Sequence, residues 1–288
     1  MVNFEFSTIK YKFEALNDFE TPYFLGSAFR GILGKRLKKT VCIKPFENCL
    51  SCEFKKTCPY TVIFETETIL NQPSRYVMRP PFEKRNLKEK DNLELEITLL
   101  GETTNYWEFI TASFSSVLNI GKERYLKLKD VYFYHPFEKK YYPIKGFIPK
   151  FEAKDFLKEN PNGDTINIRL FPTSIKIQKN FLKFSDFNKE LFLKAVISRV
   201  SKVAYTYGEK AGKIFIDKDS FEITKKELRP SPLKRWSNRK KTLMTIPAFE
   251  GEIQIKGDLS SIYPYLKMVE LINIGKSVSF GLGKLKLL

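Results

Sequence analysis

Twice along this chain the hydrophobic pattern runs in the same order: strand, helix, a run of strand-like segments, helix, strand. The first round opens with alternation over Val2–Leu16, where Phe4, Phe6, Ile9, Tyr11 and Phe13 recur among polar neighbours. Thr21-Pro22 then predicts an N-cap with proline at the first helical position. The helix runs from Tyr23 to about Lys39, with Phe24, Ala28, Ile32 and Leu37 toward the core. Strand-like segments at Tyr60–Leu70, Arg75–Arg79 and Leu93–Leu100 follow. A helix at about Tyr106–Leu118 and a basic strand at Lys122–Lys129 close the round. The second round comprises a strand at Thr165–Ile177, a helix at Lys189–Tyr207, and strands near Ile214–Lys225, Lys240–Ile246 and Gly251–Ile255. A helix at Ser260–Leu271 and a closing strand end it. An order of β-α-β-β-α-β is the ferredoxin-like arrangement. The fold class predicted is α+β with two tandem ferredoxin-like (RRM-like) units. One spans 1–130 and the other 131–288, with a looser aromatic and basic segment to about position 161.

Charge narrows the partner. Lys and Arg number 50 against 33 Asp and Glu, a formal charge of +17. That excess predicts a polyanionic partner. With 15% aromatic residues there are rings for bases to stack on. No apolar run reaches membrane-spanning length, and the first residues lack the pattern of a signal peptide. The expectation is a soluble, cytoplasmic protein that binds nucleic acid and no membrane.

Three clusters carry the functional expectation. On the first helix Arg30, Lys35, Arg36, Lys38 and Lys39 crowd one side and the last turns. A cationic C-terminus suits the helix dipole, but five cations with no acid exceed that need and point to phosphate contact. In the final third Lys234, Arg235, Arg239, Lys240 and Lys241 surround Trp236, which suits a phosphate track with a stacking platform; the alternative is an exposed loop anchored by its Trp. The chain ends on Asn273-Ile-Gly-Lys-Ser-Val-Ser-Phe-Gly-Leu-Gly-Lys-Leu-Lys-Leu-Leu288, a segment in which Gly275, Gly281 and Gly283 accompany Lys276 and Ser277. Gly275-Lys276-Ser277 is not the end of a nucleotide P-loop, because position 270 is Glu and a strand follows where a helix is needed. The glycines either bend the last strand or let a phosphate reach the backbone.

All four cysteines fall together: Cys42, Cys49, Cys52 and Cys58. The central C-x2-C, with two more thiols close by, predicts a structural tetrathiolate metal loop over 42–58. Zinc is the default ion, an iron–sulfur cluster would use the same ligands, and two disulfides or unlinked thiols are the alternatives. A closed site of this kind takes no part in catalysis.

Phe29-Arg-Gly-Ile-Leu-Gly34, Cys58-Pro-Tyr60, Trp236-Ser-x-Arg239 and the terminal Gly-Lys-x4-Gly-Leu-Gly together resemble the CRISPR-associated repeat-processing endoribonucleases of the RAMP superfamily. The superfamily's motif G-x-G-x5-G-x-G is matched at Gly275, Gly281 and Gly283, with Asn273 at its first position. The resemblance implies two ferredoxin-like units, CRISPR repeat RNA as partner, and other effector-complex subunits as possible companions. It implies cleavage of precursor RNA within the repeat, with no catalytic metal, leaving a 2′,3′-cyclic phosphate and a 5′-hydroxyl. Such chemistry removes a proton from the ribose 2′-OH, returns one to the leaving 5′-oxygen and stabilises charge on phosphorus. Family members often carry a histidine near the first helix; this chain has one histidine, His135, far along the sequence. The candidates are therefore His135 and Tyr23 as proton carriers and Arg30 or Lys35 as stabiliser of the transition state. The alternative is a non-catalytic RAMP subunit that holds guide RNA.

Overall fold

The computed structural model describes residues 2–208, 213–237 and 242–288. Strand β1 (Glu5–Ala15) is the centre of the first unit, Glu5–Phe151. Its alternation puts Ile9, Tyr11, Phe13 and Ala15 on one face, fully buried, and Lys10, Lys12 and Glu14 on the other. After β1 come helix α1 (Gly26–Val41), the short helix α2 (Pro59–Ile63), strands β2 (Tyr76–Arg79) and β3 (Asn92–Leu100), helix α3 (Trp107–Ala112), and the hairpin of β4 (Tyr125–His135) with β5 (Lys140–Pro143). β1 pairs antiparallel with β3 from Phe6↔Leu100 to Glu14↔Asn92, and with β4 on its other edge through a bulge at Lys12/Phe13. The sheet order is β2-β3-β1-β4. Position 130, the expected boundary, lies inside β4, so the aromatic segment after it belongs to the same hairpin.

Helix α1 buries Phe29, Leu33 and Leu37, a stripe at i, i+4 and i+8, against the β1 face. Of the residues expected inward, Leu37 is buried and Ala28 and Ile32 flank that stripe half-buried. The helix begins at Gly26 and not at Tyr23, with no side-chain cap. Thr21 is engaged elsewhere: its hydroxyl accepts the Arg85 N–H at 2.9 Å, and its own N–H donates to the Arg85 carbonyl at 2.8 Å.

The strand expected over Tyr60–Leu70 is helical instead. Pro59 takes the first position of α2, and a further turn of helix covers Thr66–Ile69. The Thr61 hydroxyl donates to the Lys55 and Cys58 carbonyls and that of Thr66 to Val62 and Ile63, bonds that favour closed turns over an extended run. α2 leads Phe64 onto α1. A Cβ on Gly34 would stand 2.2 Å from the Phe64 ring, and the Arg30 guanidinium stacks on that ring at 4.2 Å.

The second unit comprises the residues up to Phe4 and Glu152–Leu288. Phe4 joins it through its carbonyl, which accepts the Ala153 N–H at 3.0 Å. Strand β6 (Thr165–Thr173) leads to helix α4 (Lys189–Tyr207), strand β7 (Phe221–Pro230), the ribbon β8 (Leu233–Ser237) and β9 (Thr242–Ile246), strand β10 (Phe249–Gly257), helix α5 (Tyr263–Ile272) and strand β11 (Leu285–Leu287). The sheet order β7-β10-β6-β11 places second, third, first and fourth strands in the sequence of the first unit. Asn188 caps α4, its side chain accepting the Leu191 N–H at 3.0 Å. Buried Arg199 donates from Nε to the Ile272 carbonyl at 3.0 Å, tying α4 to the C-terminal end of α5 where a cation suits the dipole. Among the described residues no helix is long and apolar enough to cross a membrane.

The two glycines of α1 separate packing from propensity. A Cβ on Gly31 meets nothing within 4 Å. Gly31→Ala is therefore expected to stabilise the protein by up to about 1 kcal/mol. Gly34→Ala, which forces the Phe64 ring aside, is expected to cost about 1–3 kcal/mol. Urea unfolding of the two variants beside the parent checks the opposite signs.

Candidate nucleic-acid interface

The cations of α1 divide by what they already touch. Arg36 donates to the carbonyls of Ser113, Ser116 and Val117 at 3.4, 3.1 and 2.6 Å, closing the chain end beyond α3. It is a structural clamp rather than a free phosphate contact. Arg30 is held on the Phe64 ring and lies beside Tyr76, whose hydroxyl burial pushes up to about 12 while the Arg30 charge pulls it back. Lys38 reaches the Tyr60 ring at 5.8 Å. Lys35 and Lys39 are exposed, and their i, i+4 spacing sets both on the face that Gly31 leaves bare. That strip offers an anion two charges and an unobstructed turn of backbone.

Tyr23 precedes α1, its ring 6.0 Å from that of Phe82, which also stacks on Phe24. His135 ends β4 inside the hairpin turn. Its Nδ1 accepts the Glu138 N–H at 3.2 Å and its Nε2 faces the Glu138 carboxylate at 3.2 Å. Its ring stands edge-on to Phe151 with centroids 4.9 Å apart. Both nitrogens serve the turn, so a shuttle role would require the turn to open. The expected quartet of Tyr23, Arg30, Lys35 and His135 thus resolves into two packed groups, one hairpin histidine and one exposed lysine.

The cysteine run is organised by polar turns. Asn48 accepts the Leu50 N–H on its side chain and the Ser51 and Cys52 N–H groups on its carbonyl; Lys44 pairs with Glu47 and Glu53. Cys42 follows α1, Cys52 precedes the turn Glu53–Lys56, and Cys58 precedes α2, while Cys49 and Cys58 lie against the core. All four are half-buried free thiols. Among the described residues no group of three or more Cys, His, Asp or Glu side chains is placed to hold a metal ion.

The terminal glycine segment is tucked under its own unit. Asn273 ends α5 with φ +55° and is fully buried; its side-chain amide donates to the Leu282 carbonyl at 3.0 Å. With ψ 168° this backbone lies outside the left-handed helical region, in one that glycine adopts and other residues rarely do, which suits the glycine of the motif's first position. Gly275, Gly281 and Gly283 have φ of +77°, +100° and +76°, and Ser277 has +61°. A Cβ on Gly283 would sit 1.8 Å from the Ile274 carbonyl oxygen, and one on Gly275 2.3 Å from that of Ser174. The N–H groups of Ile274, Lys276 and Gly283 donate to Gly283, Ser174 and Pro172, and those of Phe280, Gly281 and Leu282 close the turn on itself. The glycines act as spacers for backbone against backbone. What the segment turns outward is the exposed side chain of Lys276.

The ribbon extends the β7–β10 hairpin past Pro232 and Pro247, where the ladder loses its donors. Arg235 stacks on Phe280 of the glycine segment at 4.6 Å, an association the sequence order conceals. Lys234 and Trp236 occupy the opposite face with Thr245 and Leu243 across from them, and Trp236 is 54% exposed. Arg239, Lys240 and Lys241 lie outside the described residues.

Comparison with known proteins places this geometry. Residues 169–285 match the family model of the CRISPR-associated endoribonuclease Cas6, and residues 4–145 match AF_1859_N, a model described as an N-terminal domain. A sequence comparison with curated proteins finds no match. The fold is similar to that of a product complex of Cas6 (TTHB231) at TM-score 0.60 and 12% identity, over 98% of this chain and 99% of that one. It is similar to Thermus thermophilus Cas6 (TTHB231) at TM-score 0.58 and 13% identity, over 99% of both chains. A RAMP protein binding different RNA substrates matches at TM-score 0.51 and 15% identity, over 98% and 99%.

If the glycines are spacers, Gly283→Ala should cost about 2 kcal/mol or more, because it adds both a backbone clash and left-handed strain. A thermal unfolding midpoint unchanged from the parent would refute that role. The match to the family model of the CRISPR-associated endoribonuclease Cas6, over residues 169–285, takes in most of the β6–β11 sheet and the whole glycine segment.

Proposed function

We propose that this chain is an endoribonuclease that cuts CRISPR precursor RNA within the repeat. The observation that carries the reading is the Cas6 match over 169–285, set in a fold whose likeness to Cas6 product complexes runs the length of the chain. Both units have the strand order of a ferredoxin-like fold, and we read them as tandem copies of it. The RNA backbone would lie on the exposed cations: Lys35 and Lys39 in the first unit, and Lys276 and Lys234 in the second. Trp236 would supply a stacking surface.

The chemistry we assign is attack by the ribose 2′-OH on the adjacent phosphate, leaving a 2′,3′-cyclic phosphate and a 5′-hydroxyl. The pentacovalent transition state carries added negative charge, which a fixed lysine stabilises more than it stabilises the ground state. Lys35, exposed on the Gly31 face, is the first candidate for that role, with Lys39 one turn on. Arg30 and Arg36 act through position, the one fixing Phe64 and the other the end of α3. CRISPR repeat RNA is the partner, and subunits of an effector complex are further companions. A solved Cas6-RT-Cas1–Cas2 complex contains a chain of which 46% is matched by 99% of this one, at 13% identity and TM-score 0.58.

A second reading has its own observation. Both nitrogens of the single histidine are held by Glu138, which suits a RAMP subunit that holds guide RNA without cutting it.

A synthetic repeat RNA separates the two. Under the first reading the purified chain makes one cut in EDTA, and a 2′-deoxy nucleotide before that site abolishes the cut while affinity stays within about twofold; tight binding with no cut supports the second. Lys35→Ala is expected to slow single-turnover cleavage by about 10²-fold. Lys39→Ala and Lys276→Ala should each weaken binding and reduce the salt slope of log K by about one, read by filter binding from 50 to 200 mM salt.

A further inference from the structure

An apolar cleft of about 470 Å³ opens in the second unit at the root of the ribbon. One wall is the segment after β6, with Phe181, Lys183 and Phe184; the other is formed by Pro230, Pro232 and Pro247, where β7 and β10 pass into β8 and β9. That volume falls in the range that takes a small organic group, and it is far too narrow for a duplex.

The aromatic wall is fixed in place. Lys176–Ile177 and Asn180–Phe181 pair as a small hairpin, turning through Gln178 and Lys179 with φ of +46° and +75°. The Leu182 N–H donates to the Ile175 carbonyl at 2.9 Å. Lys226 reaches across from β7 to donate to the Phe187 carbonyl at 2.9 Å. Behind the cleft Phe187 and Phe249 meet edge to face at 5.5 Å. Held in this way, Phe181 and Phe184 remain 40% and 38% exposed.

The rim is basic. Lys176, Lys179 and Lys183 are exposed, and none has a carboxylate within ion-pair distance among the described residues. Lys176 lies over the Phe181 ring at 4.5 Å. The acid in this segment, Asp186, accepts the Ser185 hydroxyl at 2.9 Å. An apolar slot with aromatic walls, Lys183 in its lining and Lys176 and Lys179 on the adjoining hairpin, matches a flat π-system carried on a phosphate chain. A hydrophobic side chain of a protein would gain nothing from the lysines.

We propose that this cleft receives one unpaired nucleobase of the bound RNA, stacked on Phe181 and Phe184 with its flanking phosphates on Lys179 and Lys183. The proposal rests on the RNA-processing reading above. The walls present few hydrogen-bonding groups, so the subsite reads the presence of an unstacked base more than its identity.

The experiment uses the full chain and synthetic repeat RNAs, each with 2-aminopurine at one position outside any stem. Wild-type protein should alter the fluorescence of one such position, and the double variant Phe181→Ala/Phe184→Ala should abolish that change while leaving the other positions as they were. Affinity should fall about ten- to hundredfold in the variant. An abasic nucleotide at the same position should weaken wild-type binding to the same degree and leave the variant's unchanged. Phe181→Leu/Phe184→Leu, which keeps apolar cover, should give the same loss at an unchanged melting midpoint. Wild-type affinity and fluorescence in both variants would overturn the proposal. So would variants that keep the RNA signals but no longer co-purify a protein, since the cleft would then be a protein-docking site. If the wild-type chain binds no repeat RNA, the parent reading fails with it, and the wild-type titration alone reveals that case.

Discussion

The second unit depends on a backbone seated directly against backbone. Gly283 donates to Pro172 and accepts from Ile274, while Lys276 donates to Ser174, so the glycine segment is stitched to the end of β6 on one side and to the exit of α5 on the other. These contacts place β11 beside β6, where Ile168 to Leu170 meet Leu287 to Leu285. Any side chain at Gly275 or Gly283 would occupy the space of a carbonyl oxygen. The positive φ values follow from that constraint: the chain must turn sharply twice in a few residues to lay a strand antiparallel to β6. A sequence of glycines beside lysines invites a phosphate-binding interpretation, but here the glycine N–H groups that donate do so inward.

The same distinction between engaged and available groups runs through the cations. A formal charge of +17 predicts a polyanion, yet it does not say which lysines and arginines meet it. Arg36 closes three carbonyls, Arg199 closes the end of α5, Arg30 and Arg235 lie on phenylalanine rings, and Lys10 pairs with Glu94. The arginines, with planar heads suited to stacking and to forked hydrogen bonds, largely hold structure. The exposed lysines Lys35, Lys39 and Lys276 carry the charge that faces outward.

Much of the architecture was legible because strands with one buried face alternate with period two. β1 and β6 could be read from their residues, and the repeated order of elements emerged from them. The errors have local causes. Tyr60–Leu70 contains Val62 and Ile63, which favour strands in isolation, but Pro59 and the threonine hydroxyls fix helical turns. Thr21 resembled a helix cap because its bond to Arg85 is long-range in sequence. The pairing of Arg235 with Phe280 was beyond reach for the same reason: it depends on a hairpin meeting a loop some forty positions later. Phe181 and Phe184 left a trace, aromatics interleaved with Lys179 and Lys183, in the unassigned stretch between the strand expected to end at Ile177 and the helix expected from Lys189.

The prolines at the root of the ribbon have a consequence for how such a chain diversifies. β7 and β10 complete their pairing at Pro230↔Phe249, and the ladder resumes only beyond Pro232 and Pro247. Residues gained or lost in β8 and β9 therefore do not shift the register of the sheet or disturb the buried side chains of α4 and α5. The ribbon can thus change in length while the sheet that carries it keeps its pairing.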